Sequence, residues 1–124
     1  MAVEVAMDRQ RDLVNVKMTG PVGAGEFLSV LQRVLSLPEF HPGMRILVDM
    51  LEHVHQVTGD DMKTIAAVLL QKGEAMLGTE VAVVVSRPVS YGMTRMLQAL
   101  IEDAPFRLSV FYSMEEARKS LGLA

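Results

Sequence analysis

The fold of this chain is constrained most by three apolar, strand-like runs that alternate with helix-like segments. The clearest run is V-A-V-V-V at Val81 to Val85, and Arg45 to Leu51 reads R-I-L-V-D-M-L. Apolar runs of this kind are typical of central strands that are covered on both faces. Arg107 to Tyr112 predicts a further strand. Because a helix pattern separates each of these strands from the next, the sequence predicts right-handed β-α-β crossovers and a mostly parallel sheet.

Four helices are predicted around these strands, because apolar residues recur at steps of three and four positions. Pro38 ends the first helix, and Gly78 follows the second. Thr58 and Ser113 are the expected N-caps of the second and fourth helices, with Glu116 as the capping-box partner of Ser113. The predicted spans are about Gly23 to Leu37, Gly59 to Leu77, Pro88 to Asp103, and from Ser113 to about Leu121-Gly122.

The N-terminal segment predicts a β-hairpin. Residues 3–8 alternate between apolar and polar side chains, and residues 13–18 place three apolar side chains on one face. Residues 9–12 form a short loop between them, and Gly20-Pro21 ends the second strand. The predicted order is therefore β-β-α-β-α-β-α-β-α. It describes a five-stranded, mostly parallel α/β sheet with helices on both faces and the first strand as an antiparallel edge. We expect residues 1–124 to form this single domain.

Composition and charge exclude several functional classes. The 124 residues include 12 Lys and Arg against 15 Asp and Glu, which gives a net charge of −3 with the signs interspersed. A chain without a basic cluster and without Trp lacks the usual means of binding nucleic acid. There is no cysteine, so disulfides and thiolate metal sites are excluded, and a reducing cytoplasm is expected. No apolar run approaches the ~20 residues of a membrane span, and no signal peptide is recognised.

Ligands of open parallel sheets bind beyond the carboxyl ends of the strands. Asp49 ends the third strand, as the phospho-acceptor of a receiver domain does, but the acid pair and the lysine of that chemistry are missing. We expect Asp49 to be a buried carboxylate that accepts backbone N–H bonds, or one that pairs with Arg87 or Arg95. The candidate ligand or partner surface predicted at these strand ends consists of Asp49, Ser86, Ser90, Tyr91 and Arg95.

No catalytic, metal or cofactor site is predicted. His53 and His55 form an H-x-H pair in a predicted loop near Asp49 and Glu52, but no fourth zinc ligand is evident, and we interpret them as polar loop histidines. The serines lack a G-x-S-x-G elbow, and no base is fixed near them. The glycine spacing G-x-x-G-x-G that begins at Gly20 matches neither a dinucleotide fingerprint nor a phosphate loop.

The chain contains ten methionines. Met62, Met76, Met93 and Met96 fall on helix faces at the spacing of core residues. Methionine fills irregular gaps in cores, and it also lines adaptable apolar pockets. We favour core packing, and an apolar pocket between the helices and the sheet is the alternative.

The order of elements resembles the anti-sigma-factor-antagonist-like (STAS-like) domain superfamily, and in particular its small, stand-alone bacterial members. Three segments carry the resemblance over nearly the whole chain. Most small members of this superfamily have no assigned activity, so the resemblance implies a fold and a non-enzymatic kind of role. The segments are Met44 to Asp49; Val81 to Val85 with Tyr91 to Met96; and Val110 to Tyr112 with Glu115 to Ala117 and Leu121.

Antagonists of this superfamily are switched by phosphorylation of a hydroxyl in an Asp-Ser-Ser-Gly-like segment at the start of the second helix. The matching stretch is Gln56 to Asp61, in which Thr58-Gly59 is retained in type while the preceding acid and the second hydroxyl are absent. Asp60 and Asp61 would repel an added phosphate. The resemblance therefore makes Thr58 the candidate regulatory phosphosite, and a plain N-cap is the favoured interpretation.

Three functional hypotheses follow. The first is a cytoplasmic, non-enzymatic interaction or regulatory module of STAS-like type, a homodimer that associates through its helices or its edge strand. A flat apolar surface patch, with no ligand-sized cavity, would favour it. The second is a small-molecule or lipid-binding domain, similar to the CRAL-TRIO-like lipid binders, which needs an apolar pocket with a few convergent polar groups. The third, ranked last, is a small hydrolase that uses Asp49, His53 or Ser86.

Overall fold

The computed structural model describes residues 2–123, which form six strands and four helices. None of the helices in this part of the chain is long and apolar enough to cross a membrane. The strands are β1 (Ala2–Asp8), β2 (Leu13–Val22), β3 (Arg45–Met50), β4 (His53–His55), β5 (Glu80–Val85) and β6 (Arg107–Phe111). The helices are α1 (Ala24–Leu35), α2 (Gly59–Gln71), α3 (Pro88–Leu100) and α4 (Met114–Ser120).

The sheet has the strand order β1-β2-β3-β5-β6, and β4 also pairs with β2. β1 is an antiparallel edge strand, and the other pairings are parallel. The predicted mostly parallel α/β class with an antiparallel first strand is therefore confirmed. The sheet has six strands rather than five, because His53 and His55, which were expected in a loop, belong to β4.

A bulge separates β3 from β4, which continues along the same edge of β2. The pairing register with β2 shifts by one residue between the two strands, so the Leu51-Glu52 turn holds one residue without a partner. Gly20, with a φ of 74°, donates its N–H to the Glu52 carbonyl at 3.1 Å. β2 therefore runs on to Val22, past the predicted end at Gly20-Pro21, because β4 provides a partner for the extra residues.

Three helices cover one face of the sheet, and one helix covers the other. Val34 of α1, Ala66 of α2 and Leu97 of α3 pack against the first face. Ala117 of α4 packs against the second face in a cluster with Val84. Alternate residues along each central strand point to opposite faces, so these strands need apolar residues in succession. The predicted arrangement of helices on both faces is confirmed.

The helices end earlier than the sequence predicts. α2 ends at Gln71 rather than Leu77, and the chain then continues in turns as far as Gly78. Gly73 packs against Pro105, whose ring would lie 3.3 Å from an added Cβ, and Gly78 donates its N–H to the Pro105 carbonyl at 2.8 Å. These tertiary contacts, together with the low helix propensity of glycine, end α2 early. α1 and α3 also end slightly before their predicted limits.

Candidate functional site

Hydrogen bonds at the carboxyl ends of the parallel strands fix the bulge between β3 and β4. Asp49 accepts the backbone N–H of Leu51 at 3.0 Å, as the backbone-bonded alternative predicts, but this carboxylate is half-buried rather than buried. Ser86 Oγ donates to the Leu51 carbonyl at 2.9 Å. The ion-pair alternative is wrong, because neither Arg87 nor Arg95 forms a salt bridge with Asp49 within residues 2–123.

His53 and Ser90 form a buried pair beside this bulge. His53 Nδ1 lies 2.6 Å from the Met50 carbonyl oxygen, and His53 Nε2 lies 3.1 Å from Ser90 Oγ. Because a carbonyl only accepts, Nδ1 carries the ring proton, and Nε2 accepts the hydrogen bond of the Ser90 hydroxyl. The two side chains are only 4% and 2% exposed. The pair therefore ties the start of α3 to β4 in a dry environment.

Burial lowers the pKa of His53 below that of a free histidine, because desolvation disfavours the charged ring. The bond to the Met50 carbonyl opposes this shift, and the nearby charges of His55 and Arg87 add to it. His53 is therefore neutral near pH 7, in the tautomer that its two hydrogen bonds require.

The Ser90–His53 contact joins a hydroxyl to an imidazole, as in a nucleophile and its base, but the surroundings differ from those of a catalytic site. The second imidazole nitrogen binds a backbone carbonyl rather than a carboxylate. Both side chains are closed to a substrate by burial. Asp49 and Ser86, the other residues of the hydrolase hypothesis, are both bonded to Leu51. This arrangement is suited to holding the backbone of the bulge in place.

The predicted surface at the strand ends is only partly exposed. The Tyr91 ring stacks on Tyr112, with ring centroids 4.5 Å apart and the planes 8° from parallel. Val54, Val89 and Tyr112 are exposed apolar side chains at the same edge of the sheet. Of the predicted residues, the exposed ones are Ser86 and Arg95, the half-buried ones are Asp49 and Tyr91, and the buried one is Ser90.

Thr58 is the N-cap of α2, as the sequence predicts, and it belongs to a complete capping box. Its Oγ1 accepts the backbone N–H of Asp61 at 3.1 Å, and the Asp61 carboxylate accepts the backbone N–H of Thr58 at 2.9 Å. A phosphate on Thr58 would stand beside the Asp61 carboxylate and disturb both bonds. This geometry favours the N-cap interpretation, and phosphorylation of Thr58 stays a prediction from the resemblance.

The H-x-H pair lies on β4, not in a polar loop, and its two rings point to the same face because residues two positions apart in a strand share a face. His53 is buried, and His55 is half-buried. Within residues 2–123, no three His, Asp or Glu side chains are grouped closely enough to hold a metal ion.

An apolar cavity of about 150 Å³ lies between α1, α2, α3 and the sheet. Val48 of the central strand β3 borders the cavity and is only half-buried, although three helices cover this face. Among the described residues, Thr94 is the one polar residue in the lining, and its hydroxyl donates to the Ser90 carbonyl at 2.8 Å. Apolar residues that line the cavity include Met18, Phe27, Leu31, Met62, Leu69 and Leu97.

Methionine is the sequence signal for this cavity. Met62 and Met76, assigned to core packing, are indeed buried, and both also border the cavity together with Met18 and Met50. Met93 and Met96, the other two methionines assigned to the helix faces, do not line the cavity. The convergent polar groups expected beside such a pocket are elsewhere, since none of the five predicted surface residues lines it.

No protein-family model and no curated protein sequence matches this chain. Among solved structures, the chain is similar to the crystal structure of an uncharacterized DUF3478-family protein from Shewanella loihica, described as having a SpoIIAA-like fold. The two chains are 15% identical, and the match covers 97% of this chain and 92% of the other, with a TM-score of 0.59. At that identity the likeness concerns the fold alone. This chain therefore has a SpoIIAA-like fold, which is the fold that the resemblance of its sequence implied.

Proposed function

We propose that this chain is a non-enzymatic, STAS-like binding module that holds a compact apolar molecule in the cavity between α1, α2, α3 and the sheet. The observation that carries the proposal is the cavity itself, with a volume of about 150 Å³. In the part of the chain that the structure describes, Thr94 is the one polar residue of its lining. Small-molecule sites are concave and mostly apolar. An engineered apolar cavity of about the same size stays dry and binds benzene or xenon.

An empty cavity of this size would weaken so small a domain. At about 24 cal/mol per Å³, a void of about 150 Å³ corresponds to a loss of about 3–4 kcal/mol. Native domains are stable by only about 5–15 kcal/mol in total, and their interiors are normally packed without such voids. A ligand that fills the cavity would recover part of this loss, which is a physical reason for the sequence to retain it.

The lining restricts the chemical class of the ligand. Within residues 2–123, no charged side chain borders the cavity, so an ionic ligand would lose its hydration without gaining a partner. The Thr94 hydroxyl already donates to the Ser90 carbonyl, which leaves only its oxygen lone pairs for a further hydrogen bond. Drug-sized ligands occupy pockets of roughly 300–1,000 Å³. We therefore propose an uncharged molecule about the size of one aromatic ring, rather than a long-chain lipid.

Titration with toluene, followed by NMR of the methionine methyl groups, tests this proposal. We expect saturable shifts of the methyl resonances of Met18, Met50, Met62 and Met76, because these side chains border the cavity. Met114, the first residue of α4, packs on the other face of the sheet. It serves as an internal control whose resonance should not move.

Val48→Phe provides the matched variant, because it places a ring into the cavity from β3. The same titration of Val48→Phe should leave the methionine resonances unchanged, while their dispersion shows that the variant is folded. Wild-type protein without saturable shifts, or shifts that are equally large at Met114, would contradict the proposal.

A second candidate function, binding of a protein partner, is favoured by apolar side chains at the carboxyl ends of the strands. Val54, Val89 and Tyr112 are 40%, 49% and 49% exposed, and the Tyr112 ring stacks on the Tyr91 ring. Thr58, the N-cap of α2, lies at the same ends of the strands. It belongs to the segment that the STAS-like resemblance implies for regulation. Ser86 and Arg95 are exposed polar residues of this surface. Both candidate functions are non-enzymatic, and they use different parts of the molecule.

The compartment is also part of the proposal. The chain contains no cysteine, so its fold needs no oxidising environment. This composition supports a role in the cytoplasm.

A further inference from the structure

We propose that β1 and α1 together form the interface of a homodimer with two-fold symmetry. β1 lies at the end of the strand order and pairs with β2 through seven consecutive residues without a bulge. Natural edge strands are usually protected by charged residues, especially Lys, by Pro, by bulges or by shortness. The sequence A-V-E-V-A-M-D of β1 contains no Lys or Pro, and its charged residues are Glu4 and Asp8. The outer edge of β1 is therefore able to pair with another strand.

Helix α1 carries a stripe of opposite charges beside that edge. Glu26 and Arg33 lie about two turns apart on the same side of α1, with Val30 between them. Together with Val3 of β1, they line a groove of about 230 Å³. Neither Glu26 nor Arg33 forms an ion pair within residues 2–123. The two ends of the stripe are thus free to bind complementary charges.

A second copy of this chain satisfies both features at once. A two-fold axis that passes between the two β1 strands, at their midpoints, pairs them in antiparallel orientation. The same axis makes the two α1 helices antiparallel. Glu26 of each copy then faces Arg33 of the other copy, so the charges are complementary at both ends of the helix pair. An unrelated strand would pair with the backbone of β1 but would not in general match the α1 stripe.

The side chains of β1 favour one register, in which Val5 of one copy lies opposite Val5 of the other. Glu4 then faces Ala6. A shift of the pairing by two residues places Glu4 opposite Glu4 in one direction and opposite Asp8 in the other. Directly opposed like charges destabilise a strand pair. Val3, Val5 and Met7 of β1 are half-buried within one chain, so this pairing would continue the core layer from one copy to the next.

Charge reversal, followed by analytical ultracentrifugation, tests this arrangement. We expect the wild-type protein to be a dimer. Glu26→Arg and Arg33→Glu should each raise the dissociation constant at least about tenfold, because both symmetric contacts become like-charged. An equimolar mixture of the two variants should recover the dimer, since every Arg then faces a Glu. Glu74→Arg makes the same change of charge at an exposed position after α2, and it should remain a dimer.

A single introduced cysteine tests the strand register, because the chain has no cysteine of its own. Val5→Cys should form a covalent dimer under mild oxidation, since directly opposite strand residues lie within reach of a disulfide. Val54→Cys, exposed on β4, should stay uncrosslinked. A monomeric wild-type protein, or a mixture of Glu26→Arg and Arg33→Glu that stays monomeric, would overturn the proposal. So would a Val5→Cys variant that does not crosslink.

Discussion

Replacing His53 by leucine is expected to lower the free energy of unfolding by about 3 kcal/mol. The substitution removes the partner of the Ser90 hydroxyl and one partner of the Met50 carbonyl, and each buried polar group left unsatisfied costs about 1–3 kcal/mol. His53 and Ser90 are almost completely buried, so water cannot replace the lost bonds. Chemical denaturation of the wild-type protein and the His53→Leu variant near pH 7 measures the loss.

The matched control removes the other partner of the same hydrogen bond. Ser90→Ala alone should destabilise by about 1–2 kcal/mol, because His53 Nε2 loses its donor. The double variant His53→Leu/Ser90→Ala should lose less than the sum of the two single losses, since no group of this bond is then left without a partner. Strictly additive losses would show that the 3.1 Å contact between the two side chains contributes nothing.

The same comparison gives a pH dependence with a definite sign. The pKa of His53 is lower in the folded protein than in the unfolded chain, mainly because of burial, so the unfolded chain binds the proton first as the pH falls. Stability from this residue is complete above about pH 6.5 and is lost as the pH falls toward the folded-state pKa. The stability difference between the wild-type protein and His53→Leu should therefore shrink in acid.

His41 has the opposite behaviour and does not disturb this comparison. Its bond to Asp12 raises the pKa of His41, so its contribution is present at low pH and is lost as the pH rises through the folded-state pKa. Both proteins in the comparison contain His41, so its contribution cancels in their difference. A difference that stays constant between about pH 5 and 8 would contradict the role assigned to His53.

Phenylalanine in place of Val48 is expected to raise the free energy of unfolding by about 1–2 kcal/mol. The ring would occupy the cavity that Val48 borders, and each buried CH₂ contributes about 0.8 kcal/mol. Enlarging a residue in a fully packed core has the opposite effect, with a loss of about 1–3 kcal/mol. Thermal and chemical denaturation of the wild-type protein and Val48→Phe measure the sign of the change.

Val84 allows the same substitution on the other face of the sheet. It is completely buried in the cluster with Ala117 under α4, so Val84→Phe should overpack and destabilise by about 1–3 kcal/mol or more. Opposite signs for Val48→Phe and Val84→Phe would place the free volume on the side of α1, α2 and α3. Equal losses would show that the cavity offers no space to a ring.

The fold could be predicted from the sequence where its determinants are local. Val81 to Val85 is apolar at every position, as a strand covered on both faces requires, and Thr58 and Ser113 cap their helices as expected. β4 could not be predicted, because His53–His55 has no strand pattern and pairs only where the bulge carries it beside β2. The early end of α2 depends on contacts of Gly73 with a residue far along the chain.

The candidate site was predictable to a smaller extent. The backbone bond of Asp49 reaches only two residues along the chain, so residue type and position were enough to predict it. The Ser90–His53 bond joins residues 37 positions apart, and no spacing rule signals it. The cavity depends on how closely three helices approach the sheet. The methionines indicate an adaptable interior, whereas the free volume itself is a property of the packed structure.

Crystallography under xenon pressure shows whether the face of the sheet that α1, α2 and α3 cover holds a dry cavity for a compact apolar molecule. Xenon enters apolar cavities that exclude water. We expect xenon between Val48 and Leu97 in crystals of the wild-type protein, and none at that place in crystals of Val48→Phe. Ordered water in this volume, or lining side chains that fill it in the wild-type crystal, would show that no such cavity exists.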